Sequence, residues 1–112
     1  MDRKISKYQQ SLINWLEDYV KENTSADLEY QLITDTVHRH YQIVRTGWQG
    51  NKFLYLVIFH FQIKEDEKIW VWANNTDLDL GFILSELGIP NNQIVPALQP
   101  PFVRQHTGYA SA

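Results

Sequence analysis

Ile5, Tyr8, Leu12, Trp15, Leu16 and Tyr19 stand three or four residues apart, while Lys4, Lys7, Gln10, Asn14, Asp18 and Lys21 fall largely elsewhere on the helical wheel. That spacing predicts an amphipathic helix over residues 3–22 with one apolar stripe packed on a sheet. Asn23-Thr24-Ser25 is a run of polar, cap-favouring residues that ends it. The period then changes to two. Leu28–Val37 and Tyr41–Trp48 predict a hairpin turning at His38-Arg39-His40, with His38-Arg39 as the loop and Val37 opposite His40. Leu28, Tyr30, Leu32 and Thr34 then share a face with Tyr41 and Ile43, and Glu29, Gln31, Asp35, Gln42 and Thr46 collect on the other. Val44 and Trp48 are the apolar exceptions on the polar side. A one-residue slip would mix the two sets, so the pattern itself argues for a half-buried pair.

The stretch Lys52–Asn74, KFLYLVIFHFQIKEDEKIWVWAN, predicts a second hairpin closed by Glu65-Asp66-Glu67. Strict alternation places Phe53, Tyr55, Val57, Phe59, Phe61 and Ile63 on one face, joined by Ile69, Val71 and Ala73. With Lys64 opposite Lys68, His60 lies across from Trp72 and Gln62 across from Trp70. The second face then carries Leu54, Leu56, Ile58, Trp70 and Trp72, rimmed by His60 and Gln62. An apolar centre with aromatic residues and a polar rim is the composition of a protein interface, so these five are candidate partner contacts. Gly47–Asn51 joins the hairpins, with positive φ expected at Gly50-Asn51; Trp48 within it is either an anchor for a partner or a lid on the sheet edge.

Thr76-Asp77-Leu78-Asp79 reads as an N-cap with acidic residues suited to the positive end of a helix dipole. The helix runs to about Leu87, burying Leu80, Ile83, Leu84 and Leu87, and Gly88 terminates it. Ile89–Gln93 is a turn, Ile94–Leu98 an edge segment interrupted by Pro96, and Pro100-Pro101 predicts an extended C-terminal tail. The expected class is α+β: an N-terminal helix, a four-stranded antiparallel β-meander, a second helix and a short extended tail, in one domain over residues 1–112. With both helices on one side of the sheet, the second face of the central hairpin is left for another chain or for the tail.

Composition narrows the function classes. The 112 residues contain no cysteine, which excludes disulfides, thiol catalysis and thiolate metal sites. The polar N-terminus MDRKISKYQQ lacks the apolar run of a signal peptide, and no apolar stretch has the length of a membrane span, so a cytoplasmic location without membrane contact is expected. A net charge of −3 argues against a general nucleic-acid binder.

Catalytic chemistry finds little support. His38 and His40 stand at i, i+2 near a turn without acidic or Cys partners at ligand spacing, so no metal or other cofactor is expected. His60 lies mid-strand as a hydrogen-bonded histidine, and Asp77 and Asp79 are explained by capping. No nucleophile elbow, P-loop or dinucleotide fingerprint occurs. Arg104, behind two prolines, is a cationic projection that either meets an anion or is solvated.

Several stretches in order nonetheless carry a resemblance: Gly47-Trp48-Gln49-Gly50, Lys68-Ile69-Trp70-Val71, Leu87-Gly88-Ile89-Pro90, Ile94-Val95 and Pro100-Pro101…Arg104…Thr107-Gly108-Tyr109-Ala110. Together with the length and the opening helix, they resemble XisI, the fdxN element excision controlling factor family of cyanobacteria. The likeness covers essentially the whole chain and departs at Trp72-Ala73-Asn74-Asn75, where the family more often has polar residues and an Asn/Asp-Gly turn. The resemblance implies a regulatory, non-enzymatic role beside an XisH-like partner, assisting a separate site-specific recombinase that excises a DNA element in heterocyst development. It carries over no catalytic residue; Gly47, Trp48, Pro101 and Arg104 are matched positions for structure or partner contact. The expected assembly is a homo-oligomer, a dimer, with an XisH-like protein. The alternatives are a DNA-binding accessory factor using Arg39, Arg45, Lys52 and Arg104 on phosphates, or a small-ligand module.

Overall fold

The computed structural model describes residues 3–112, with side chains described from Lys7 onward. Lys4 and Ile5, assigned above to opposite sides of the first helix, have side chains outside the described residues. Helix α1 spans Arg3–Asn23. Its apolar stripe is buried as the spacing requires: Leu12 and Leu16 are fully enclosed, Tyr8 nearly so, and Trp15 and Tyr19 pack on the core beside them.

Four antiparallel strands follow in meander order: β1 Leu28–Asp35, β2 His40–Gln49, β3 Lys52–Ile63 and β4 Ile69–Asn74. Helix α2 (Leu80–Glu86) and a 3-10 turn at Asn91–Gln93 lead into β5 (Ile94–Val95). This fifth strand corrects the expected four-stranded sheet. It pairs parallel to β4, Ile69 with Ile94 and Trp70 with Val95, so the sheet is mixed. A parallel neighbour requires a crossover, and α2 supplies it. Because α2 buries Leu80 and Leu84 in the same core as Leu12 and Leu16, both helices cover one face of the sheet.

Turn chemistry moves several boundaries. The first hairpin is shifted in register from the expected one, with Asp35 rather than Val37 opposite His40 and a loop of residues 36–39. The Asp35 carboxylate accepts from Val37 N and His38 N, an Asx turn that stops the strand, and Arg39 takes φ 60°. The shift is by two residues, so the faces survive: Thr34 opposes Tyr41 and Leu32 opposes Ile43. Of Gly50-Asn51, only Gly50 takes a positive φ. The second hairpin turns as expected through Glu65-Asp66-Glu67, with Lys64 N bonded to Lys68 O and Glu67 in the left-handed region.

The helix cap is Asp79 rather than Thr76; its carboxylate accepts from Phe82 N at 3.1 Å. Thr76 instead closes a turn with Asn74, whose Oδ1 accepts from Thr76 N and Oγ1. Gly88 ends α2 at φ 91° as expected. The tail is not simply extended: Pro100 keeps β geometry, but Pro101–Arg104 forms a helical turn, α3, with proline in its first turn, where the missing N–H costs nothing.

Candidate functional site

Opposite the helices, the sheet presents an open face, and two irregularities decide which side chains lie on it. Between β2 and β3, Ile43 pairs with Phe59 but Val44 with Val57, so Ile58 is an extra residue. Past it the alternation inverts. Leu56 and Leu54 pair with Arg45 and Gly47 on the helix side, while Val57, Tyr55 and Phe53 pair with Val44, Thr46 and Trp48 on the open side. Asn75 holds this bulge: its N donates to Ile58 O and its Nδ2 to Val57 O, satisfying carbonyls the ladder has lost. The second bulge lies between β3 and β4, where Phe61 pairs with Val71 and His60 with Ala73, leaving Trp72 extra.

The expected contact face is therefore divided. Ile58 is 2% exposed and belongs to the core. Leu54 and Leu56 lie on the helix side, and strict alternation assigned them wrongly. Trp70 and Trp72 remain beside Gln62, stacked at 5.4 Å and 23°, with Trp72 Nε1 donating to Gln62 Oε1 at 3.0 Å. His60 does not oppose Trp72 as expected; the bulge sets it against Ala73. Phe53, Tyr55 and Val57, assigned to the core face, are on the open one. No signal in the run LYLVIF marks the inversion, because both parities are apolar.

The open face has three zones. At one end Trp48, Phe53 and Tyr55 are 62%, 52% and 66% exposed, with Trp48 and Phe53 in contact at 5.2 Å. Trp48 is thus exposed apolar surface rather than a lid. In the middle lies a polar strip: Gln31 Nε2 donates to Thr46 Oγ1, Gln42 Nε2 approaches His60 Nδ1 at 3.2 Å, and His60 Nε2 meets His40 Nδ1 at 3.0 Å. Burial, and then the His40 ring, lower the His60 pKa. At the other end Lys64 Nζ stands 3.9 Å over Trp70, and Arg104 lies over the same ring at 5.4 Å. Arg104 donates to Gln99 O and Ser111 O, so the tail that carries it reaches over this corner.

Tail docking also explains the Thr107–Ala110 stretch. A side chain at Gly81 would overlap the Tyr109 ring, so Tyr109 sits against bare α2 backbone, and Ala110 N donates to Ile94 O.

The histidines and basic side chains weighed above are, among the described residues, not brought together into one site. Among the described residues, no three His, Cys, Asp or Glu side chains are placed to hold a metal. His38 is engaged by Asp35 at 2.7 Å, away from the His40–His60 pair. Among the described residues, Arg39, Arg45, Lys52 and Arg104 form no stripe. Arg39 Nε donates to Ile63 O, Arg45 faces the helix layer with its Nε buried, Lys52 is at the far end of β3, and Arg104 is held in the tail. Among the described residues, no helix is long and apolar enough to cross a membrane.

Comparison with known proteins agrees with this architecture. The profile of the XisI protein family matches residues 1–111. The crystal structure of a XisI-like protein from Anabaena variabilis ATCC 29413 superimposes with a TM-score of 0.88 at 39% identity, over 96% of this chain and 99% of that one. The fdxN element excision controlling factor XisI from the same strain gives 0.83 at 26% identity, over 97% and 99%. No curated protein matches the chain.

Proposed function

The chain belongs to the XisI family, and from that premise we propose that it is a non-catalytic controlling factor for excision of a DNA element. In this reading it binds an XisH-like protein, pairs with a second copy of itself, and supports a separate site-specific recombinase during heterocyst development. Contact with other proteins, not bond breaking, is its work.

The observation that carries this reading is the uncovered aromatic end of the sheet. Trp48, Phe53 and Tyr55 are large, rigid side chains exposed together on a flat strand surface. Such clusters mark binding sites on monomeric surfaces, and Trp and Tyr are the residue types that dominate interface energetics. The acidic balance and the dispersed arginines weigh against phosphate recognition as the primary activity.

Co-purification with an XisH-like protein tests it. Trp48→Ser or Tyr55→Lys should reduce affinity by at least about tenfold, the effect of losing a modest hot spot of ~1.4 kcal/mol. Leu56→Ser, on the helix side, should leave retention unchanged. Equal retention of all three variants, or no retention of the wild type, would refute the reading.

A further inference from the structure

Both edges of the sheet expose backbone groups, and the chain treats them differently. At β5, Ala110 N donates to Ile94 O, so the tail occupies that edge. At β1, the loop after α1 folds back on the first half only. Leu28 N donates to Ser25 Oγ, and Ser25 N to Leu28 O; Tyr30 N donates to Thr24 Oγ1, and Thr24 Oγ1 in turn reaches Tyr30 O. These bonds show that the even-numbered residues of β1 point their N–H and C=O away from β2. The β1–β2 register has no break, so Leu32 and Thr34 do the same. Among the described residues, nothing bonds their outward groups.

Leu32–Thr34 is thus a short open template. β1 reads LEYQLITD, with no lysine, proline or bulge to blunt the edge, and its two charges, Glu29 and Asp35, lie outside Leu32–Thr34. Between the two free pairs sits Ile33, 47% exposed on the open face.

We propose that this edge is where two copies of the chain join, antiparallel about a two-fold axis through Ile33. The inference deepens the self-association part of the reading above and rests on it. In that register Leu32 of each copy faces Thr34 of the other and exchanges both backbone bonds, four in all. Ile33 meets its own counterpart in the close, non-hydrogen-bonded pair. Gln31 faces Asp35, so an uncharged amide stands opposite the carboxylate. Shifting the axis to Leu32 would set Glu29 against Asp35 and demand the Tyr30 groups that Thr24 already holds. The partner strand ends at Asp35, opposite the point where the Thr24–Ser25 loop begins, so the covered half of β1 limits the pairing to the free half. A two-fold axis normal to the sheet keeps both helix layers on one side and both open faces on the other, continuous and accessible.

A chain without cysteine allows a direct test. Cα atoms of a non-hydrogen-bonded pair lie about 4.5 Å apart, within disulfide reach. Under mild oxidation Ile33→Cys should therefore form a covalent dimer, while Glu29→Cys should not. Sedimentation velocity should show a dimer for the wild type and a monomer for both Ile33→Lys and Thr34→Pro, with unchanged circular dichroism. The proline removes only an outward N–H. A dimer with no preferential cross-link at position 33 overturns the edge assignment while self-association stands. A wild-type monomer at all concentrations overturns both. Retention of the XisH-like protein by the wild type is read separately and depends on neither result.

Discussion

Substituting Gly81 isolates the tail-docking contact in one pair of measurements. In a helix, Gly→Ala gains up to about 1 kcal/mol, and less near an end, so the second position of α2 should gain ~0.5 kcal/mol. The methyl group would, however, occupy the space of the Tyr109 ring, whose Cε1 would lie 2.9 Å away, with Cζ and the hydroxyl closer still. The helix backbone is fixed by the core, whereas Tyr109 sits on a tail, so the ring must leave. Tyr109 is half-buried, and losing that burial forfeits about half of the ~1.5–3 kcal/mol of a fully buried large side chain. If the Ala110–Ile94 bond goes with it, about 1 kcal/mol more is lost. Gly81→Ala should therefore destabilise by ~1–2 kcal/mol in the native background. With Tyr109→Ala already present the same change should stabilise by ~0.5 kcal/mol, a reversal of sign and a coupling of about 2 kcal/mol. Urea unfolding followed by circular dichroism measures all four corners of the cycle. Gly81→Ala stabilising in both backgrounds would refute the contact.

Ile58→Ala should cost ~2–4 kcal/mol and Leu56→Ala less than about 1 kcal/mol in the same assay, since the first empties a filled core site; equal costs would refute the bulge. The lowered His60 pKa means the folded state resists protonation, so stability should be fully present above the ordinary histidine pKa near 6.5 and decline as pH falls below it. Replacing His60 with Gln should flatten that decline in a pH series of unfolding midpoints. Tyr41, fully buried with its hydroxyl donating to Gln9 Oε1 at 2.6 Å, has its pKa pushed up to about 12, chiefly by burial. Its folded-state proton is held more tightly, so that stabilisation holds below pH 10 and is lost as pH rises towards 12. Tyr19, also raised by burial, and Tyr41 should both ionise late in an ultraviolet titration, and Tyr41→Phe should remove one of the two late steps.

Local pattern places α1, α2 and the four main strands, and part of their pairing. Helical spacing located α1, and the stripe from Tyr8 to Tyr19 is the buried one. Period-two alternation located the four main strands, and the charged turn Glu65-Asp66-Glu67 set the pairs Lys64–Lys68 and Gln62–Trp70. Those signals are local, so they can be read along the chain. The family was legible for the same reason, in short stretches whose spacing survives. Which residues make the open face follows instead from long-range contacts. A bulge inserts one residue and exchanges the two faces beyond it, and in Leu54–Phe59 both parities are apolar, so the pattern is identical with or without the insertion. Asn75, from the far end of the next strand, stabilises the bulged carbonyls. The parallel fifth strand has a similar cause: two residues carry no periodicity, and Ile94–Val95 becomes a strand because α2 returns the chain to β4. The candidate contact surface thus kept Trp48 and exchanged Leu54, Leu56 and Ile58 for Phe53 and Tyr55, through contacts distant in sequence.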